Sequence, residues 1–134
     1  MKNLLFILFF SFLSISALSA QVKAVGFHKT EIIEQFESIT EDTTEDGMLY
    51  WVGLSEDKSL KFIMYFNQEG ICTLAFIVPE TSADLNNLIG WCNEKYTVVS
   101  DSEWKSYGTV AIVSISLQSI NNQLVFLCAL AKKF

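Results

Sequence analysis

Apolar residues along this chain recur in two rhythms. From Phe62 to Val78, "FIMYFNQEGICTLAFIV", almost every position is apolar except a polar break at Asn67-Gln68-Glu69-Gly70. A four-residue break ending in glycine between two β-branched and aromatic runs predicts a β-hairpin. A membrane helix over the same stretch would bury Asn67, Gln68 and Glu69 at its centre, at a cost of several kcal/mol, so the stretch is not a span. Met48–Leu54 predicts a strand before it, turned back by "SEDKS" into Leu60–Phe66, and Pro79 ends the strand that begins at Ile71.

The second rhythm is helical. Between Lys29 and Ile39 the apolar Ile32, Ile33 and Phe36 share a side, with Glu31, Glu34 and Glu37 elsewhere. "SITEDTTEDG" then reads as an acidic loop closed by an Asp46-Gly47 turn. Thr81 and Asp84 have the spacing of a capping box, and Leu85, Leu88, Ile89, Cys92 and Tyr96 follow as a helical stripe. "VVSDSEWKSYG" reads as a connector, with Ser100 and Glu103 again at capping spacing. Two more strands, Thr109–Leu117 and Leu124–Leu130, turn at Asn121-Asn122. No repeat is visible. The order α-β-β-β-α-β-β predicts an α+β, two-layer sandwich: a five-stranded antiparallel sheet with two helices on one face.

Parity assigns the faces. Phe62, Met64 and Phe66, with Cys72, Leu74 and Phe76, are expected to face the helices, as are Leu124, Phe126, Cys128 and Leu130. The opposite parity holds Ile63, Tyr65, Ile71, Ala75, Ile77, Val110, Ile112, Val125, Leu127 and Ala129. A sheet with one wet face alternates apolar and polar residues, and this one largely does not. The second face is therefore the expected functional surface, with Ile63, Tyr65, Ile77, Ile112 and Leu127 as its binding residues. A strand bulge would swap the parity and scatter them.

The first twenty residues, MKNLLFILFFSFLSISALSA, stand apart from this pattern. Lys2, an apolar run over Leu4–Leu13 broken only by Ser11, and then small residues have the three-part layout of a secretory signal peptide. The run is shorter than the ~18–20 residues a spanning helix needs. The expected organisation is a leader over residues 1–20 and one domain over 21–134, starting at Gln21 or one residue earlier, in the periplasm or secreted, with no membrane span after cleavage.

Charge narrows the partners. The formal charge is −6, and losing Lys2 with the leader leaves eight lysines against fifteen acidic residues and no arginine. Phosphate recognition leans on the guanidinium fork and on neutralising charge, so nucleic acid is not an expected partner.

Candidate chemistry is sparse. His28 is the sole histidine, ahead of the first helix, where capping is its expected use, and no Ser-His-Asp or Cys-His set can be built without it. Asp42, Thr44, Asp46 and Gly47 match the first positions of a calcium loop, but position 12 is Gly53 where a bidentate glutamate is required. Neither a metal nor an organic cofactor is expected. Cys72, Cys92 and Cys128 all fall on core-facing positions; their odd number leaves at least one free thiol, with one disulfide an open alternative. Trp51, Trp91 and Trp104 with the four tyrosines fit either core packing or ligand stacking.

With "YFNQEGIC", the capped helix after Pro79, "EKYTVVS" and "EWKSYG" in this order, the chain resembles a class of small exported α+β domains of Gram-negative bacteria, over roughly residues 22–130. That resemblance implies an exported domain and assigns no catalytic residue. The element order is also similar to that of type III secretion chaperones, which act in the cytoplasm and usually end in a third helix. The expectation is a non-enzymatic exported module whose apolar sheet face binds a protein or an apolar ligand. The alternative is a structural homodimer that buries the same face.

Overall fold

A computed structural model describes residues 24–36, 38–55 and 57–134. The leader expected over residues 1–20, and Gln21 after it, lie outside the described residues. A short helix α1 (Lys29–Ile32) runs on as a 3-10 turn (Ile33–Gln35), followed by β1 (Ile39–Thr43), β2 (Leu49–Leu54), β3 (Leu60–Phe66) and β4 (Cys72–Pro79). Helix α2 (Ser82–Lys95) then leads into β5 (Thr97–Ser100), β6 (Glu103–Tyr107), β7 (Ala111–Ile120) and β8 (Gln123–Lys133).

All eight strands form one antiparallel sheet in the order β1-β2-β3-β4-β8-β7-β6-β5. The expected five-stranded α+β sandwich is therefore wrong: among the described residues the sheet has eight strands, only two short helices accompany it, and the fold is mostly β. The strands that apolar periodicity missed are β1, β5 and β6. In β1 only Ile39 is even half-buried, every residue of β5 is exposed, and β6 buries Trp104 alone. Strands this polar are fixed by hydrogen bonding to a neighbour, which leaves little trace in hydropathy.

The local signals that did hold have clear causes. Thr81 and Asp84 form a capping box, the Thr81 hydroxyl accepting from the Asp84 amide at 3.1 Å while the Asp84 carboxylate accepts from the Thr81 amide at 3.2 Å. Helix α2 ends at Tyr96, in extended backbone. The β-branched run Thr97-Val98-Val99 that follows favours a strand over another helical turn.

The element order is a helix and four strands, given twice. Because β4 and β8, the last strand of each half, pair antiparallel at the centre of the sheet, the halves are related by an approximate two-fold axis there. One unbroken row of cross-strand partners makes this plain: Glu41, Trp51, Met64, Ala75, Cys128, Ile115, Trp104 and Val98 pair in succession from one edge to the other.

That row lies on the buried face. Both helices cover it: Ile32 of α1 and Leu88 and Cys92 of α2 share one core cluster with Phe62, Met64, Phe126 and Cys128. Fully burying a side chain such as Phe62 contributes about 1.5–3 kcal/mol. Rings set the fit, with Phe36 edge-on to Phe62 at 5.3 Å and Trp51 edge-on to Phe66 at 4.9 Å.

The chain enters beside the start of β4. The Gly26 amide donates to the Cys72 carbonyl at 2.7 Å, and the Cys72 amide donates to the Phe27 carbonyl at 2.9 Å. Gly26 sits at φ +94, and a Cβ there would come within 2.7 Å of the Ala111 Cβ.

Candidate functional site

The face away from the helices is divided sharply between β8 and β7. Across β2, β3, β4 and β8 the outward positions are Tyr50, Val52 and Leu54; Lys61, Ile63 and Tyr65; Leu74, Phe76 and Val78; and Val125, Leu127 and Ala129. Lys61 is the one charged residue among them. Continuing the same rows onto β7, β6 and β5 gives Ser114, Lys105 and Thr97, then Ser116, Glu103 and Ser100. These two rows are apolar across β2, β3, β4 and β8 and polar across β7, β6 and β5, while Ile112 and Tyr107 form an apolar pair farther along the far half.

A bulge in β4 puts this block together. Tyr65 pairs with Leu74 and Phe66 with Cys72, so Thr73 is an extra residue and the parity of β4 reverses after it. Cys72 faces the core as expected, but Leu74, Phe76 and Val78 turn outward while Ala75, Ile77 and Pro79 turn inward.

The expected face assignment is corrected accordingly. Ile77 is 2 % exposed in the core cluster and belongs to the buried face. Its neighbour Phe76, expected in the core, is the half-buried outward residue. Ile63, Tyr65 and Leu127 are brought together as expected, because Ile63 and Leu127 are the two cross-strand partners of Phe76. Ile112 lies on the same side but apart from them, beside Tyr107 and Lys132 on the far half of the sheet. Ile63, Tyr65, Phe76 and Leu127 pack outside the helix-side cluster, each half-buried by its sheet neighbours.

Three rings form the centre of the block. Tyr50 lies against Tyr65 with centroids 5.6 Å apart, and Tyr65 meets Phe76 edge-on at 6.1 Å. The Tyr50 hydroxyl donates to the Asp42 carboxylate of β1 at 3.4 Å. That negative charge, ahead of burial, holds the Tyr50 phenol above its ordinary value. Sequence reasoning missed Tyr50, Val52, Leu74, Phe76 and Val78. The available signal was Thr73, a polar residue inside an otherwise apolar strand, which marks the bulge.

The sole histidine caps a helix and the three cysteines are buried. His28 caps α1, its Nδ1 accepting from the Thr30 amide at 3.2 Å. Cys72, Cys92 and Cys128 are free thiols in the core. Burial pushes Cys72 and Cys92 up to about 12 from an ordinary 9.0, and raises Cys128 in the same direction, assisted by the neighbouring Cys92 and Cys72. A thiol held protonated in this way is a poor nucleophile. The segment expected as an acidic loop is instead β1 and a tight turn, with the Gly47 amide donating to the Thr44 carbonyl at 2.9 Å. Among the described residues no group of three His, Cys, Asp or Glu side chains converges as a metal site, and no helix is long and apolar enough to cross a membrane. A shallow cleft of about 150 Å³ near Phe27, Ser106 and Thr109 has no titratable side chain in its lining.

Compared with family models, with curated proteins and with solved structures, the chain matches none.

Proposed function

We propose that this protein is an exported, non-enzymatic binding module that works through the apolar half of its open sheet face. The observation that supports this is the block itself: eleven of its twelve outward positions across β2, β3, β4 and β8 are apolar or aromatic, where two of the same rows continue as polar residues on β7, β6 and β5. A strand with one face in water alternates apolar and polar residues, and β2, β3, β4 and β8 largely do not. Its rings carry hydroxyl tips at Tyr50 and Tyr65, the mixed apolar and polar surface enriched where proteins bind partners. The leader read from residues 1–20 supports export.

Size favours a small occupant over a face-to-face copy of the chain. Four strands about 4.8 Å apart and three outward rows about 6.8 Å apart span roughly 20 Å by 20 Å, about 400 Å² in projection. A stable protein–protein contact covers about 800 Å² on each side. An apolar ligand, or a helix or segment of a partner protein, fits that footprint.

The probe is anilinonaphthalene sulfonate, titrated into the protein and into Phe76→Lys and Leu127→Lys variants whose folding is verified by circular dichroism. Saturable binding that weakens at least tenfold in both variants is expected. Binding that is absent from the native protein, or unchanged in the folded variants, overturns the proposal.

A further inference from the structure

Charge is unevenly distributed along this chain. All fifteen acidic residues lie at or before Glu103, whereas residues 104–134 hold Lys105, Lys132 and Lys133 and no acid. That stretch forms most of β6 with β7 and β8, on the half of the sheet away from the acidic edge strand β1. The two most exposed large apolar side chains among the described residues stand in it, Tyr107 at 64 % and Phe134 at 62 %. The register gathers them at one corner of the open face. Tyr107, Ile112 and Lys132 are successive cross-strand partners, about 10 Å from end to end at the usual strand spacing. Phe134 follows β8, its amide donating to the Val110 carbonyl at 3.0 Å and its ring centroid 5.4 Å from the Lys132 ammonium. Lys105 shares the Tyr107 side of β6, and Lys133 ends β8 as the partner of Ala111. Of the acids, Glu103 stands at the other end of β6 and Glu69 in the turn before β4.

From this corner we infer that the protein docks on an anionic lipid surface, Tyr107 and Phe134 entering the headgroup layer while Lys105, Lys132 and Lys133 meet lipid phosphates. Charge complementarity sets the sign of the partner, because this is the acid-free part of an acidic chain. Ring exposure sets its class. Aromatic rings flanked by lysine suit a membrane interface, where the ring sits among headgroups and the long lysine stem lets the ammonium reach phosphate. A discrete acidic group on a peptide or nucleic acid is better gripped by guanidinium forks, and the chain has no arginine. The acidic remainder of the molecule is repelled, which turns β1 away from the lipid and keeps attachment weak and salt-sensitive. The contact is superficial and needs no span. Ile63, Phe76 and Leu127 lie outside the corner, so the inference does not rest on the function proposed for their block.

The test uses protein expressed from the full 134-residue sequence, as the host processes it. Co-sedimentation is measured with phosphatidylcholine vesicles, with and without phosphatidylglycerol. Binding is expected only where phosphatidylglycerol is present, and is expected to weaken at least about tenfold in a Lys105→Gln, Lys132→Gln variant. A Lys58→Gln, Lys95→Gln variant has the same net charge and is expected to bind like the native protein, as is Phe76→Ser. A Tyr107→Ser, Phe134→Ser variant is expected to bind more weakly. Equal binding to both kinds of vesicle, or binding to neither, overturns the inference. So does unchanged binding in the ring variant, or an equal loss in the two lysine variants, which would reduce the effect to net charge. Loss in Phe76→Ser would place the contact on the apolar block, and binding to polyglutamate without binding to anionic vesicles would make the partner an acidic protein; each overturns it too. Should the variants fail to fold, salt decides on the native protein: binding to anionic vesicles that does not weaken between about 50 mM and about 200 mM sodium chloride overturns the inference.

Discussion

Trp51 and Trp104 hold equivalent places, one strand in from each edge of the sheet, yet their indole N–H groups are satisfied by different elements. Trp51 donates to the Glu41 carboxylate of the edge strand at 3.0 Å, and Trp104 donates to Asn93 of α2 at 2.8 Å. In the first half the bond joins strand to strand; in the second it ties the helix to the sheet. Asn93 is an exposed residue, but Trp104 is 1 % exposed and has no water to fall back on. Asn93→Ala is therefore expected to cost about 1–3 kcal/mol, the penalty of a stranded buried donor. Urea unfolding of the variant measures it, and a loss below about 0.5 kcal/mol, the ordinary surface range, would refute this role.

The bulge at Thr73 predicts opposite outcomes for two adjacent residues. Ile77→Lys buries an unpaired charge among Phe62, Met64 and Phe126 and is expected to abolish folding. Phe76→Lys places its ammonium on the open face and is expected to fold. Circular dichroism and thermal melts of both variants check this, and the reverse result would restore the unbulged parity.

Two glycines separate backbone strain from steric contact. Gly47 and Gly26 both have positive φ, but a Cβ on Gly47 would meet nothing within 4 Å, whereas one on Gly26 would collide with Ala111. Gly47→Ala is expected to cost about 1–2 kcal/mol, the left-handed penalty alone. Gly26→Ala is expected to cost more than that, because the entry segment hydrogen-bonded to Cys72 must also shift. Equal unfolding midpoints for the two variants would contradict the close approach at Gly26.

Alkaline pH is expected to destabilise the fold. The folded state keeps the thiol protons of Cys72 and Cys92 up to about 12, while the unfolded chain releases them near the ordinary 9.0. Unfolding therefore releases protons above that pH, and stability falls as pH rises from about 9 toward 12, with no contribution from these groups below. Cys128 and the buried Tyr96 phenol, both raised chiefly by burial, act in the same direction. Urea midpoints between pH 7 and about 11 check this, and a Cys72→Ala, Cys92→Ala variant should show a shallower alkaline decline. Alkylation of native protein should be slow at neutral pH and reach all three cysteines only on unfolding.

The sequence by itself determined the parts whose signals are local. The four-residue break at Asn67–Gly70, the capping box at Thr81 and Asp84 and the paired apolar runs of β7 and β8 are each decided by neighbours in the chain, and each stands where it was read. Burial of the three cysteines followed from the same local parity, since each sits on a phase set by its own strand or helix. Three further features belonged to the tertiary structure. Strands β1, β5 and β6 exist because a neighbour supplies hydrogen bonds to chain too polar to declare itself. The two-fold repeat is a relation between strand pairings, with few shared residue types to mark it beyond Trp51 and Trp104. The composition of the open face turned on Thr73, because side chains alternate with a period of two and one extra residue exchanges every later position between faces. That exchange carried Ile77 into the core and brought Phe76 out between Ile63 and Leu127.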